Sequence, residues 1–170
     1  MHRDIKLDNV LVNSQGFVKL TDFGITKQLD ETIGLAGTFV GTMNYMSPER
    51  MEGEKYSFEG DIWSLGIVLV ELMTGSYPYT ESKGFLEMLE QIKYEDSPNV
   101  PNNGLFSDEL RNFVDICLQK EPGDRQSAVQ LMAHPWILKY SQSQANLPGY
   151  LARLKSYDRK KTSSTDQQLL

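Results

Sequence analysis

The chain has 170 residues and a mass of 19.3 kDa, enough for one domain with a sizeable core and too few for two. With 39% hydrophobic and 24% charged residues and a mean hydropathy of −0.42, the composition is that of neither a membrane-embedded protein nor a wholly disordered one. A net charge of −6 and a pI near 4.9 argue against nucleic acid as the main partner. That charge is uneven. Residues 150–170 hold Arg153, Lys155, Arg159, Lys160 and Lys161 against Asp158 and Asp166, which leaves 12 bases and 21 acids elsewhere: about −9 on the body, +3 on the tail.

In chain order, the polar first nine residues carry no hydrophobic leader region, and the lone Cys117 forms no internal disulfide, so a cytoplasmic protein is expected. Val10-Leu11-Val12, the turn Asn13-Ser14-Gln15-Gly16 and Phe17-Val18-Lys19-Leu20 read as a hairpin. From Thr21 to about Tyr45 periodicity fades, and Gly24, Gly34, Gly37 and Gly41 mark a long loop of the kind that is usually functional. From Asp61 to Thr74 apolar residues fall on every face, the pattern of a helix buried all round and too short and interrupted to span a membrane. Phe85, Met88, Leu89 and Ile92 follow the spacing of an amphipathic helix. Leu110, Phe113, Val114, Cys117 and Leu118 define another, with Ser107 as its N-cap. A last core helix runs from Gln126 or Ser127 to Met132. Beyond Ile137 the composition turns polar, with one short amphipathic helix around Leu147, Tyr150, Leu151 and Leu154. A small hairpin, a long loop and then helices make a mainly α domain.

His2-Arg3-Asp4-Ile5-Lys6-Leu7-Asp8-Asn9 stands just before the first strand, and Asp22-Phe23-Gly24 follows the second. The hairpin therefore brings Asp4, Asn9 and Asp22 towards one point. Asn9 and Asp22 offer the oxygen ligands that suit Mg2+, Asp4 suits a general base, and Lys6 can neutralise charge on a transferring phosphoryl group. Each short motif alone would fit a solvated charge cluster; their order and spacing together match the protein-kinase signature set.

On these residues the chain resembles the C-terminal lobe of the protein kinases, from residue 1 to about residue 139. His2-Arg3-Asp4 with Lys6 and Asn9 resembles the serine/threonine-type catalytic loop, and Asp22-Phe23-Gly24 the magnesium-binding motif. Ser47-Pro48-Glu49 stands where the family has Ala-Pro-Glu, Asp61-Ile62-Trp63-Ser64-Leu65-Gly66 resembles the start of its central helix, and Arg125 stands at the arginine that pairs with the Glu49 position. The string Thr38 to Arg50 is similar to MAP kinase kinases; NIMA-related kinases share much of it. Arg50, Gly75-Ser76-Tyr77-Pro78-Tyr79 and Phe106-Ser107-Asp108-Glu109 favour the former, and Leu7-Asp8 replaces that family's usual Pro-Ser.

The resemblance implies ATP and Mg2+, a MAP kinase as substrate and a MAP kinase kinase kinase upstream. It implies Asp4 and Lys6 as catalytic residues, Asn9 and Asp22 as metal ligands, and Thr32 and Thr38 as activation-loop phosphorylation sites with Arg3 receiving the phosphate. Thr42, Glu49, Asp61 and Arg125 would be supporting residues, with Glu49–Arg125 a buried ion pair and Asp61 accepting from the catalytic-loop backbone. His134 and Trp136 read as core packing and Cys117 as an inert buried thiol. It further implies a partial kinase domain over 1–139 with a polar, basic tail over 140–170. The glycine-rich loop and strand lysine expected upstream of the catalytic loop are not in these 170 residues. The expectation is thus a truncated chain with its N-lobe absent and without appreciable activity alone; the alternative is a non-catalytic binding module or decoy for MAP kinase pathway partners.

Overall fold

The computed structural model describes residues 1–23, 44–55, 57–79, 84–143 and 145–166, with side chains to residue 157 in the last stretch. A short 3-10 turn, Leu7–Asn9, leads into strands β1 (Val10–Val12) and β2 (Val18–Leu20). Helices α1 (Pro48–Met51), α2 (Phe58–Thr74), α3 (Phe85–Tyr94), α4 (Asp108–Cys117), α5 (Ala128–Met132), α6 (Pro135–Tyr140) and α7 (Leu147–Asp166) follow.

The hairpin is antiparallel, with Val10 opposite Leu20 and Val12 opposite Val18. Its turn is closed by Asn13, whose carboxamide oxygen accepts the amides of Gln15 and Phe17 at 3.0 and 2.9 Å. This side-chain mimic of a turn explains why Phe17 falls outside the strand. Gly16 completes the turn at φ +83, a conformation that costs a residue with a Cβ.

Helix α2 is the axis of the fold. Glu59 and Asp61 in its first turn favour its positive end, and Gly75, left-handed at φ 77, caps its other end with its amide on the Glu71 carbonyl at 2.8 Å. One flank buries Trp63, Ile67 and Val70 against α3, α4 and the Val100 loop; the other packs Ile62 against Phe113, Cys117 and Leu131. The helix begins three residues before the expected Asp61 and is not buried all round: Phe58 is 66% and Leu72 55% exposed. Part of its apolar surface borders a cleft of about 340 Å³ shared with Ile5, Val10 and Leu20.

Where α2 crosses α4, Gly66 makes the approach possible. A Cβ there would lie 2.6 Å from Leu118 Cδ2 and 2.7 Å from its Cγ. Alanine is about 1 kcal/mol better than glycine inside a helix, but overpacking a core typically costs about 1–3 kcal/mol. Gly66→Ala is therefore expected to lower stability, read as a lower urea midpoint at unchanged m-value; a raised midpoint would show that Leu118 moves aside freely.

Ser107 caps α4 by accepting the Leu110 amide, and Ser127 with Gln130 forms a capping box at α5. Cys117 is fully buried, and burial pushes its thiol up to about 12, so the reactive thiolate is scarce. His134 is buried with its Nε2 3.1 Å from Asn112 Oδ1, and Trp136 packs 4.9 Å from the Phe113 ring. Helix α6 interrupts the expected polar stretch, started by Pro135 and by His134 Nδ1 accepting the Trp136 amide. The tail helix is longer than expected. After Leu154 the chain runs through Lys155, Arg159, Lys160 and Lys161 with no glycine or proline to stop it, and α7 extends to Asp166. Its first residues are not free of the body: Pro148 and Leu147 sit where a Gly16 side chain would project.

Candidate active site

The segment before the hairpin is held by α2. The Asp61 carboxylate accepts the backbone amides of His2 at 2.7 Å and Arg3 at 2.8 Å. Arg50 on α1 donates to the Arg3 carbonyl at 3.0 Å. These bonds hold Arg3 at φ 72, a left-handed conformation that costs a non-glycine residue on the order of 1–2 kcal/mol and persists only where the surroundings impose it.

The buried His2 ring links this segment to the end of β2. Nε2 lies 2.8 Å from the Thr21 carbonyl, Nδ1 accepts the Asp4 amide at 3.4 Å, and the ring meets Phe23 edge-on at 4.5 Å. The Asp4 amide on Nδ1 assigns the proton to Nε2 in the neutral ring.

Asp4, Lys6 and Asn9 are in direct contact. Lys6 Nζ is 3.1 Å from Asp4 Oδ2, both side chains being about one-fifth exposed. Asn9, itself buried, donates its Nδ2 to Asp4 Oδ2 at 2.9 Å and to the Asp4 carbonyl at 2.7 Å. The 3-10 turn that allows this is closed by the Asn9 amide on the Lys6 carbonyl at 3.1 Å. With both amide protons of Asn9 directed at Asp4, its Oδ1 is left as an acceptor for another group.

Asp22 stands at the other end of the same hairpin. The Thr21 amide bonds the Asn9 carbonyl at 3.0 Å, extending the ladder by one pair, so Asp22 follows directly on the residue opposite Asn9. Asp22 is exposed and, like Arg3, left-handed, at φ 64. One carboxylate and one amide oxygen at a strand end fit Mg2+, which takes few protein oxygens and completes its shell with phosphate and water. Among the described residues no three His, Cys, Asp or Glu side chains gather into a group that could hold a metal ion by itself. Thr32, Thr38, Thr42 and Gly24 lie outside the described residues.

Glu49 on α1 and Arg125 form a bidentate ion pair at 2.7 and 2.8 Å, and both residues are buried. Two residues with no role in the sequence reading also converge here. Tyr45 donates its phenol to Glu71 Oε2 at 2.6 Å, and Ser64 donates to the Tyr45 carbonyl at 2.7 Å. Nothing in the local pattern around Tyr45 announces these bonds, because its partners lie 26 and 19 positions away.

The family model for the protein kinase domain matches residues 1–137, and the chain belongs to that family. Its hairpin and helices are those of a kinase C-terminal lobe. The relatives it resembles are MAP kinase kinases. Mitogen-activated protein kinase kinase 2 of Arabidopsis thaliana is 47% identical over 156 residues, covering 88% of this chain and 43% of the relative. Mitogen-activated protein kinase kinase 3 of the same plant is 44% identical over 151 residues, or 89% and 29%. Dual specificity mitogen-activated protein kinase kinase dSOR1 of Drosophila melanogaster is 38% identical over 178 residues, or 90% and 44%. The chain thus spans less than half the length of these relatives. Among the described residues no helix is long and apolar enough to cross a membrane.

Proposed function

We propose that this chain carries the phosphoryl-transfer centre of a dual-specificity MAP kinase kinase, acting on the Thr and Tyr of a MAP kinase and activated by a MAP kinase kinase kinase in the cytoplasm. The observation that carries this reading is the Asp4–Lys6–Asn9 contact cluster at the mouth of the hairpin that ends in Asp22. Asp4 orients the substrate hydroxyl and takes its proton, and Lys6 neutralises charge beside it. Asn9 Oδ1 and the Asp22 carboxylate hold Mg2+, which with ATP supplies charge neutralisation at the transferred phosphoryl group. The kinase unit spans 1–139 and the basic tail 140–170.

Thr38 and Thr32 are the regulatory phosphorylation sites in this reading. A phosphate adds about −1.5 to −2 charge and three acceptor oxygens, which Arg3 receives. Thr42 supports Asp4 and Lys6.

The test uses the protein as its cell makes it, isolated and supplied with Mg2+, γ-labelled ATP and a catalytically inert MAP kinase. Label on both the Thr and the Tyr of the MAP kinase activation loop is the expected result. Label confined to other proteins would overturn the MAP kinase kinase reading. In the same assay Thr38→Ala is expected to abolish activation by the upstream kinase, and retained activation would remove Thr38 from its role.

A further inference from the structure

Arg50, on α1, is a buried arginine that belongs neither to the Glu49–Arg125 pair nor to the Asp4–Lys6–Asn9 cluster. Its Nη1 donates to the Arg3 carbonyl at 3.0 Å, across 47 positions of chain. Keeping a guanidinium out of water is costly, and Arg3 itself is held left-handed at φ 72. Two unfavourable features thus meet at one peptide, and such features persist where the surroundings impose them and gather at functional sites.

The φ torsion of Arg3 sets the angle between two planar peptides. The first, His2–Arg3, is held through the Arg3 amide by Asp61 Oδ1 at 2.8 Å. The second, Arg3–Asp4, offers its oxygen to Arg50 and its N–H to His2 Nδ1, the latter at 3.4 Å. That second bond is long, so the charge-assisted bond from Arg50 is the stronger hold on this peptide. The next peptide, Asp4–Ile5, is held by Asn9 Nδ2 on the Asp4 carbonyl at 2.7 Å. Both peptides that flank Asp4 are therefore fixed, one from within its own segment and the other from α1.

The donor stands on an anchored element. Glu49, next to Arg50, accepts from both Nη atoms of Arg125 at 2.7 and 2.8 Å. The Gly53 and Glu54 amides close the end of α1 on the Arg50 and Glu49 carbonyls, each at 3.0 Å.

We propose that Arg50 is a positioning residue for phosphoryl transfer: its guanidinium fixes the Arg3–Asp4 peptide and, through it, the placement of Asp4. The catalytic part of this inference rests on the kinase reading above; the hold on the peptide does not.

The test compares wild type, Arg50→Lys and Arg50→Met, each isolated as the cell makes it, by residue-level amide exchange at Asp4 with Val114 in α4 as reference. Methionine keeps an apolar stem and removes the donor, so exchange at Asp4 should rise about tenfold while Val114 stays unchanged. Lysine keeps a charged donor on a shorter stem and should stay within about threefold of wild type. In Arg50→Met kcat should fall about tenfold with KM for ATP unchanged, because the hold lies on the Asp4 side and not on the nucleotide. A residue that only supports the fold would accelerate Asp4 and Val114 alike, and that result would overturn the proposal. Unchanged exchange at Asp4, a lysine variant no better than methionine, or an unchanged kcat would overturn it too. Should Arg50→Met not fold, Arg50→Gln, which keeps a polar group but ends two bonds short of Nη1, takes its place with the same expectations. If the wild-type protein transfers no phosphate, the kinase reading fails, and Asp4 exchange still decides the hold on the peptide.

Discussion

Replacing Asp4 with Asn is expected to lower kcat for phosphoryl transfer by a factor on the order of 10²–10⁴, while KM for ATP stays nearly constant. The substitution keeps the side chain's size, so the turn closed by the Asn9 amide on the Lys6 carbonyl at 3.1 Å should survive. Asn9 also donates to the Asp4 main-chain carbonyl at 2.7 Å, a bond that a side-chain change leaves in place. What disappears is the carboxylate that pairs with Lys6 at 3.1 Å and that is proposed to take the proton. A group that acts on the reacting hydroxyl and not on the nucleotide should change kcat and spare nucleotide binding. Steady-state kinetics at saturating and limiting ATP separate the two. A loss confined to KM, or a kcat within about threefold of wild type, would contradict the role assigned to Asp4. Asn9→Ala should differ in kind: it removes the Oδ1 offered to Mg2+, so its defect should shrink as the Mg2+ concentration rises.

Local pattern made the elements legible where neighbours in sequence are also neighbours in space. Val10–Val12 and Val18–Leu20 were readable because alternation flanks a turn sequence, and α4 because Leu110, Phe113, Val114 and Cys117 share one face below a serine cap. The position of Asn9 beside the strand end that leads to Asp22 was readable because the two motifs bracket the hairpin, which sets Asn9 opposite Thr21. Long-range bonds were not. Tyr45 reaches Glu71, Tyr77 reaches Asn44 and Arg50 reaches Arg3 across 26, 33 and 47 positions, and no periodicity encodes such pairs. The extent of α7 was missed for a different reason. Its second half has no apolar stripe to announce a helix, and forms one from intrinsic propensity continued past Leu154.

The largest effect on stability is expected at Glu49 and Arg125. Every N–H of the Arg125 guanidinium has a partner. Nε donates to the Gln119 carbonyl at 2.7 Å; Nη1 donates to Glu49 Oε1 at 2.7 Å and to the Glu59 carbonyl at 3.0 Å. Nη2 donates to Glu49 Oε2 at 2.8 Å and to the Lys120 carbonyl at 2.9 Å. The side chain is fully enclosed, with its guanidinium 5.2 Å from the centre of the Trp63 ring. Glu49→Gln leaves that cation buried without its counter-charge, which typically costs about 3–5 kcal/mol. Arg125→Lys should be nearly as harmful, because an ammonium with three donors cannot meet five acceptor contacts or reproduce the planar fork. Removing both charges with Glu49→Gln and Arg125→Met should cost less than the sum of the single changes, since neither leaves an unpaired ion. It should not restore wild-type stability, because the carbonyls of Gln119, Glu59 and Lys120 lose their donor. Urea midpoints of wild type, of Glu49→Gln, Arg125→Lys and Arg125→Met, and of the double variant at constant m-value test this order, and single variants within about 1 kcal/mol of wild type would refute it. The consequence reaches the site. Glu49 and Arg50 are adjacent on α1, and Arg50 holds the Arg3 carbonyl at the entrance of the His2–Asn9 segment. A Glu49→Gln protein that remains folded should therefore exchange its Asp4 amide faster than wild type, since α1 has then lost its charged tie to Arg125.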